Sequence, residues 1–308
     1  MRILVVGAGG TGGFFGAKLA RAGEDVTFVA RGAHLAAIQA AGLRVASTVE
    51  GEWTVRAPAV ERVDGLPPAD LVLFCVKSFD TETAAELVRP AVAPATGVLS
   101  VQNGVDNEER LAARLGAGHV IGGVALVFAT IAAPGVIAHS LLGRLIFGEM
   151  DGRPSARTQA FLAACERAGI PAELTADARR ALWEKYVFLV THAGLTALTR
   201  CPAGILHAVP ETRRLFSAVL EEMLALGRAE GIAFEPDAGA RFQRQWDGLG
   251  ANAYSSLHHD LVHGKPLELE ALHGHAVRLG ERHGVPTPAL FGVYAALKPH
   301  LAGAPRLS

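Results

Sequence analysis

The chain has 308 residues, half of them hydrophobic, and a net charge of −1 at pH 7. This length suits two domains. Without a basic surplus, nucleic acid and anionic membrane are poor candidate partners, and a small-molecule ligand is favoured. The three cysteines lie far apart without a Cys-x-x-Cys pair, which is typical of a reducing compartment and predicts a cytoplasmic protein.

Short β-branched runs alternate with helical stretches over the first half of the chain. The predicted strands are RILVVG, DVTFVA, residues 71–76 within PPADLVLFCVK, TGVLSVQNG and HVIGGVALVF, and the predicted helices are residues 11–22 and VDNEERLAARLG. Apolar runs that lack alternation and are separated by helices predict a parallel sheet covered on both faces.

One uncharged stretch, VIGGVALVFATIAAPGVIA at residues 120–138, is nearly long enough to span a bilayer. Gly122, Gly123, Pro134 and Gly135 interrupt it. We therefore predict buried strands joined by a Pro134-Gly135 turn, and no membrane span.

From about Thr175 onward the signals are almost all helical. The segment PETRRLFSAVLEEMLALGRAEG predicts a helix that starts at Pro210 and stops at Gly231. The segment PLELEALHGHAVRLGERHG predicts another that starts at Pro266 and stops at Gly284.

These patterns predict an α/β fold in two parts. A Rossmann-type parallel-sheet domain at residues 1–174 precedes an all-α domain at residues 175–308. The amphipathic helices of the second part could bury their apolar faces within one chain or against a second copy. A homodimer through the helical domain therefore stays open.

A glycine-rich loop follows the first predicted strand. Gly7, Gly9 and Gly12 fit the pattern G-x-G-x-x-G between a strand and a helix. In that context the first glycine permits a tight turn, the second admits a pyrophosphate and the third allows close packing of helix and strand. The helix N-terminus adds unpaired N–H groups for the phosphates. A glycine-rich turn without a ligand is the alternative.

The end of the second predicted strand indicates which dinucleotide binds. An NAD site places Asp or Glu there, about twenty residues after the loop. This chain has Arg31 at that position, and its acids Glu24 and Asp25 come before the strand. A guanidinium suits a 2′-phosphate, so NADPH is predicted over NADH. A solvated arginine on a loop is the alternative.

Several downstream segments carry a family resemblance. They are LVLFCVKSFD, VQNGVDNEERL, ALWEKYVFLVTHAGLTALTRCPAGIL, SSLHHDLVHGKPLELEALHG and ERHGVPTP. In this order behind G-x-G-x-x-G, they resemble the ketopantoate reductase (2-dehydropantoate 2-reductase) family over essentially the whole chain. The resemblance implies NADPH-dependent reduction of ketopantoate to pantoate, on the route to pantothenate and coenzyme A. It also implies a substrate cleft between a Rossmann domain and a helical domain.

The resemblance assigns two residues near the cofactor. Lys77 matches a family lysine beside the cofactor, and Asn103 matches an asparagine that contacts the nicotinamide ribose and the substrate. Both follow predicted parallel strands, at the edge where open α/β sheets bind ligands. The alternatives are a surface lysine and an ordinary Asn-Gly turn.

Lys185 in LWEK matches the catalytic lysine of the family. Leu182 and Leu189 lie three residues before and four residues after it, so its helix face is apolar. By itself this pattern favours a lysine that extends its ammonium to solvent. The resemblance implies a general acid that protonates the alkoxide formed by hydride attack on the 2-oxo carbon.

Two further matches concern the substrate. Glu268 matches a family glutamate near the substrate hydroxyl, although an acid two residues after Pro266 also suits the first turn of a helix. Ser256 matches a serine that binds the substrate carboxylate, although a serine near a helix start is common. Asp260 is assigned a structural role.

The chain departs from the family pattern at three positions. Leu189, Ala193 and Ala203 stand where close relatives of the best-known enzymes carry asparagines. Each loss removes an amide that could bind a hydroxyl or a carboxylate, which leaves a more apolar pocket. Reduction of a different, more apolar 2-oxo or 3-oxo acid is therefore the second hypothesis.

A third hypothesis is a non-catalytic NADPH-binding sensor, against which Lys185 and Glu268 argue because a sensor needs neither. The twelve histidines raise the question of a metal. His259 and His263 are spaced to share a helix face, but neither HExxH nor cysteine-paired spacing accompanies them. No metal site is predicted.

Overall fold

The structure is a computed structural model that describes residues 1–305. These residues form two compact units. Unit 1 comprises residues 1–102 and 106–182, and unit 2 comprises residues 103–105 and the chain from Trp183 onward. The sequence analysis places a boundary at residue 174, and this division falls after Leu182, within a long helix.

Unit 1 combines one ten-stranded sheet with helices, which confirms the α/β class. Its strands are β1 (Arg2–Val6), β2 (Asp25–Val29), β3 (Leu43–Ser47), β4 (Gly51–Val55), β5 (Ala59–Val60), β6 (Leu71–Phe74), β7 (Gly97–Ser100), β8 (Val120–Ala133), β9 (Val136–Glu149) and β10 (Ala172–Leu174). Its helices are α1 (Gly10–Arg21), α2 (Gly32–Ala41), α3 (Thr81–Val88), α4 (Asn107–Leu115) and α5 (Ala156–Arg167).

Six neighbouring strands form one continuous parallel run in the order β5-β2-β1-β6-β7-β8. The direction of strand addition reverses between β1 and β6. In open α/β sheets a ligand binds outside the carboxyl ends of the strands at this reversal. The fold therefore locates a candidate binding edge at the loops after β1 and β6.

Both faces of this sheet are buried. Along β1, Ile3 and Val5 join one hydrophobic cluster, while Leu4 and Val6 join another. Because alternate side chains of a strand point to opposite faces, two clusters require apolar residues at every position. This explains the uninterrupted apolar runs of the sequence.

The uncharged stretch forms an antiparallel hairpin. β8 and β9 pair along their length, and Pro134 and Gly135 make the turn, as predicted. Only residues 120–125 of β8 are buried, so the prediction of buried strands is wrong for the distal half of β8. Pairing with β7 ends at Gly122, and beyond it β8 has lost that neighbour. Among the described helices, none has the length and hydropathy that crossing a bilayer requires.

Unit 2 is helical, as predicted. The helices that build it are α6 (Ala178–Thr199), which begins in unit 1, α7 (Ala203–Ala208), α8 (Pro210–Ala229), α9 (Ala238–Asp247), α10 (Ser256–Val262), α11 (His275–His283) and α12 (Pro288–Leu297). Its core is mostly aliphatic and includes large aromatic side chains, among them Trp183, Tyr186, Phe216 and Trp246. Pro210 occupies the first position of α8, which the sequence predicts.

The segment after Pro266 differs from the predicted regular helix. The chain turns first, then forms one π-helical stretch, Glu270–Gly274, and only then continues as α11. Buried contacts hold the wide turn: Tyr186 Oη donates to the carbonyl oxygen of Leu272 at 2.6 Å, and His273 Nε2 lies 3.0 Å from the carbonyl oxygen of Val190. These long-range bonds outweigh local helical preference.

Candidate active site

The loop after β1 shows the geometry that its glycines predict. Gly7 has φ +90°, and a Cβ there would lie 2.9 Å from the backbone nitrogen of Val76. Two backbone hydrogen bonds anchor this loop to the end of β2, because the N–H groups of Gly7 and Ala8 both donate to the carbonyl oxygen of Val29. Only glycine combines this backbone conformation with so close a neighbour.

Gly9 and Gly12 differ in their surroundings. No atom lies within 4 Å of a Cβ placed on Gly9, whereas a Cβ on Gly12 would overlap the carbonyl oxygen of Gly7. The first bond within α1 runs from Gly13 N to Gly9 O at 2.7 Å, and no side chain caps the helix. Open space thus meets the uncapped N–H groups of a helix start, which fits a pyrophosphate.

Gly10, the first residue of α1, is a packing-constrained position that sequence reasoning missed. A Cβ on Gly10 would overlap the carbonyl oxygen of Ala129 on β8. The hairpin therefore packs against the first turn of α1, and this position must be glycine. No local pattern reveals this requirement, because the contact joins residues far apart in the chain.

Four predicted site residues follow neighbouring parallel strands. Arg31 follows β2, Gly7 follows β1, Lys77 follows β6 and Asn103 follows β7. The last residues of these strands pair across the sheet, Val29 with Val6, Val6 with Phe74 and Phe74 with Ser100. The strands thus end in register, so these loops begin at one edge.

Arg31 has a partner that the sequence analysis did not name. It caps α2 in extended conformation, and its Nη2 lies 2.9 Å from Asp80 Oδ2. The arginine side chain is 79% exposed. An ion pair this exposed contributes about 0–1 kcal/mol, so a phosphate could readily replace the carboxylate.

A buried glutamine ties the loops after β6 and β7 together. Gln102 Nε2 donates to the Val76 carbonyl at 3.0 Å and to Thr81 Oγ1 at 2.9 Å. Lys77, between these two acceptors in the chain, is exposed. The sequence analysis used VQNG for Asn103 alone and missed the role of its glutamine.

The residues predicted for catalysis and substrate binding belong to one unit. Asn103, Lys185, Ser256 and Glu268 come from four distant segments, and all are part of unit 2. The three-residue segment 103–105 separates from its chain neighbours to join that unit, where Val105 packs on the core.

The side chains of Lys185 and Glu268 are both at least partly buried. Lys185 is half-buried on α6. Glu268 is only 6% exposed, and its carbonyl accepts a hydrogen bond from Leu272 N at 3.1 Å. Glu268 therefore precedes the π-helical stretch, whose wide bond runs from Gly274 N to Leu269 O at 2.9 Å. A buried glutamate at a helix start is stabilised by the positive end of the helix dipole.

The two adjacent serines divide the expected roles. Ser255 is the N-cap of α10, since its Oγ accepts from His258 N at 3.1 Å, and it also bonds to Thr196 Oγ1 at 2.8 Å. Ser256 is the exposed first residue of α10. The capping function that the sequence offered as an alternative for Ser256 belongs to Ser255.

The three positions of the lost asparagines are covered by apolar packing. Ala193 and Ala203 are fully buried, and Leu189 packs on the core of unit 2. Histidine, cysteine and acidic side chains within residues 1–305 form no group of three placed to hold a metal ion.

Comparisons with known proteins agree with this architecture. The family model "Ketopantoate reductase PanE/ApbA" matches residues 3–152, and "Ketopantoate reductase PanE/ApbA C terminal" matches residues 177–300. A 2-dehydropantoate 2-reductase of Mesorhizobium japonicum is 32% identical over 320 residues, with 97% of each chain covered.

Solved structures agree as well. A PanE/ApbA family ketopantoate reductase from Ralstonia eutropha has a TM-score of 0.90 at 34% identity, covering 97% of this chain and 98% of that one. A D-mandelate dehydrogenase solved with NADH and anilino(oxo)acetate shares the fold, with a TM-score of 0.90 at 19% identity and coverage of 97% and 98%. The predicted resemblance is confirmed: the chain belongs to the ketopantoate reductase family of oxidoreductases.

Proposed function

We propose that this protein reduces a 2-oxo acid to the 2-hydroxy acid with NADPH, and that ketopantoate, reduced to pantoate, is its first candidate substrate. The partition of the site residues carries the proposal. Gly7, Gly9 and Gly12 lie in the loop of unit 1 that fits a dinucleotide, while the four residues predicted for catalysis and substrate binding belong to unit 2. The product would enter pantothenate and coenzyme A synthesis, a cytoplasmic role.

The cofactor assignment rests on the loop and on the strand ends. The glycine loop with its uncapped helix start would hold the pyrophosphate, and Arg31 would bind the 2′-phosphate in exchange for Asp80. Lys77 and Asn103 would flank the nicotinamide half. Bound NADPH supplies the hydride that reduces the 2-oxo carbon.

Lys185 would complete the reaction as a general acid. Its ammonium donates a proton to the oxygen that becomes negative when C2 accepts a hydride, and it regains a proton from water. Glu268 would accept a hydrogen bond from a substrate hydroxyl, and Ser256 would donate one to the carboxylate. The product is the neutral alcohol at C2 with its carboxylate unchanged.

A more apolar 2-oxo acid is the second candidate substrate. Leu189, Ala193 and Ala203 replace three amides with hydrocarbon, and two of these positions are fully buried. A site without polar partners discriminates weakly for polar substrates.

The test is NADPH oxidation by the purified chain with a panel of 2-oxo acids that includes ketopantoate and 3-methyl-2-oxobutanoate. A higher kcat/KM for ketopantoate supports the first candidate, and a higher value for the alkyl acid supports the second. Tight NADPH binding without turnover of any acid would contradict catalysis and leave a sensor.

A further inference from the structure

One stripe along α6 carries polar side chains before and after the apolar residue Leu189. Lys185, His192 and Thr196 are spaced by seven and four residues, which places them within about 20° of Lys185 around the helix axis. Lys185 and His192 are about 10 Å apart along that axis. In the sequence, His192 comes three residues after Leu189 and directly before Ala193, two of the positions where family asparagines are missing.

The imidazole of His192 is buried but incompletely bonded. The residue is 7% exposed, and Nδ1 is buried without a hydrogen-bond partner. Its ring stacks on Phe188, four residues earlier, with centroids 6.0 Å apart and planes at 19°. Helical side chains lean toward the N-terminus of their helix, and this stack shows that His192 leans back along α6 in the direction of Lys185.

The protonation state of His192 follows from its surroundings. Burial, with a smaller contribution from His207, lowers its pKa to about 4, so the ring is neutral near neutral pH. A neutral imidazole carries one N–H. A buried N–H without an acceptor costs about 1–3 kcal/mol, which favours the tautomer with its proton on Nε2. His192 is then a neutral donor through Nε2.

Thr196, the last residue of the stripe, is connected through Ser255 to Ser256, the proposed ligand of the substrate carboxylate. Thr196 Oγ1 bonds to Ser255 Oγ at 2.8 Å, and both side chains are buried. Ser255 caps α10, whose first residue is Ser256. His192 therefore occupies the stripe between the proposed general acid and the residue that connects to the proposed carboxylate ligand.

We infer that His192 is a further substrate-binding residue, whose Nε2–H donates to the carboxylate of the 2-oxo acid between Lys185 and Ser256. The imidazole thereby replaces a donor lost at Leu189 and Ala193. The inference rests on the proposed function.

The experiment compares H192L with H192N in the full-length protein, using the same panel of 2-oxo acids. Leucine removes the donor, and asparagine retains one. For H192L we expect KM to rise about 10-fold to 100-fold for every acid, the size of one hydrogen bond to a charged group. kcat should change little, because the carboxylate is bound equally in ground state and transition state. H192N should recover most of the loss.

H300L is the matched control, because His300 lies in unit 2 on a short 3-10 turn outside this stripe, and it should leave KM unchanged. Unchanged KM in a folded H192L would overturn the inference, as would a loss confined to acids with a hydroxylated side chain. Equal KM defects in both His192 variants with a lowered melting temperature would assign His192 to packing alone and also overturn it. If the wild type binds NADPH and turns over no acid, the proposed function fails first.

Discussion

The two units differ in the kind of group that each offers to its proposed ligand. Unit 1 presents its cofactor loop through backbone: a positive φ at Gly7, open space at Gly9 and an uncapped helix start. Unit 2 supplies side chains from four distant segments, including Lys185 and Glu268. A site built from backbone conformation tolerates few residue types at its key positions, and this sequence keeps all three glycines of the G-x-G-x-x-G pattern. A side-chain site can lose single groups and keep its fold, and here it retains the charges and lacks three amides.

The largest expected effect separates chemistry from cofactor binding. Lys185→Ala should lower kcat about 100-fold to 10,000-fold, the usual contribution of a general acid, while NADPH affinity stays unchanged. Stopped-flow or steady-state NADPH oxidation measures the first, and fluorescence titration the second. Lys265→Ala, at an exposed lysine of unit 2, is the control. Equal activity in both variants would remove Lys185 from the reaction.

Two glycines test whether unit 1 uses backbone in two distinct ways. Gly12→Ala places a methyl group against the carbonyl of Gly7 and should cost about 3 kcal/mol of unfolding free energy. Gly9→Ala meets no atom within 4 Å, so it should leave the melting temperature unchanged and weaken NADPH about tenfold, or about 1.4 kcal/mol. Thermal unfolding and NADPH titration of both variants check this. A Gly9→Ala protein with unaltered affinity would mean that the phosphates do not approach that residue.

Acid should destabilise unit 2 through its buried histidines. Burial lowers the pKa of both His192 and His273 to about 4, whereas the unfolded chain takes up their protons near pH 6.5. Stability is therefore full above about pH 6.5 and falls toward pH 4, by about 1.4 kcal/mol per pH unit for each histidine.

Urea unfolding at several pH values measures this slope, and H192L should remove one histidine's share. Carboxyl groups such as Glu149 affect the stability at lower pH than the histidines do. Burial raises the pKa of Glu149, but hydrogen bonds from Arg157 and Ser155 outweigh it and the net pKa is lowered. Its contribution is therefore lost only below about pH 4.5. A free energy of unfolding that does not change between pH 6.5 and 5 would contradict the lowered pKa values of His192 and His273.

Arg31 tests the cofactor preference. Arg31→Ala should weaken NADPH about 10-fold to 100-fold, since a hydrogen bond to a charged group contributes about 1.5–3 kcal/mol, and leave NADH unchanged. Asp80→Asn should tighten the binding of NADPH, because it removes the carboxylate that now forms an ion pair with the Arg31 guanidinium. Isothermal titration with both cofactors measures the four affinities. Equal losses for NADPH and NADH in Arg31→Ala would show that the arginine does not contact the 2′-phosphate.

The smallest expected effect distinguishes the two serines of unit 2. Ser255→Ala removes a helix cap and should cost about 1 kcal/mol of stability. Ser256→Ala, at an exposed position, should leave stability unchanged and raise KM for the 2-oxo acid. Thermal melts and steady-state kinetics on both variants check the division. A reversed pattern would move carboxylate binding to Ser255.

Sequence patterns predicted the parts of this molecule that depend on neighbours in the chain. The glycine turn, the apolar parallel strands, the Pro134-Gly135 hairpin and the start of α8 at Pro210 each follow from local conformational preference. Asp80 and Gly10 escaped prediction, because each matters through a partner far along the chain, Arg31 and Ala129 respectively.

The sequence by itself determined the class of the protein: a dinucleotide loop before a parallel sheet, then helices with a lysine and a glutamate at family positions. Tertiary structure alone decided how the site residues group. It assigned Asn103 to unit 2, widened the turn after Glu268 through the Tyr186 and His273 hydrogen bonds, and buried His192 on the stripe of Lys185. Burial and long-range hydrogen bonding depend on residues that no local window contains, so packing settled these features.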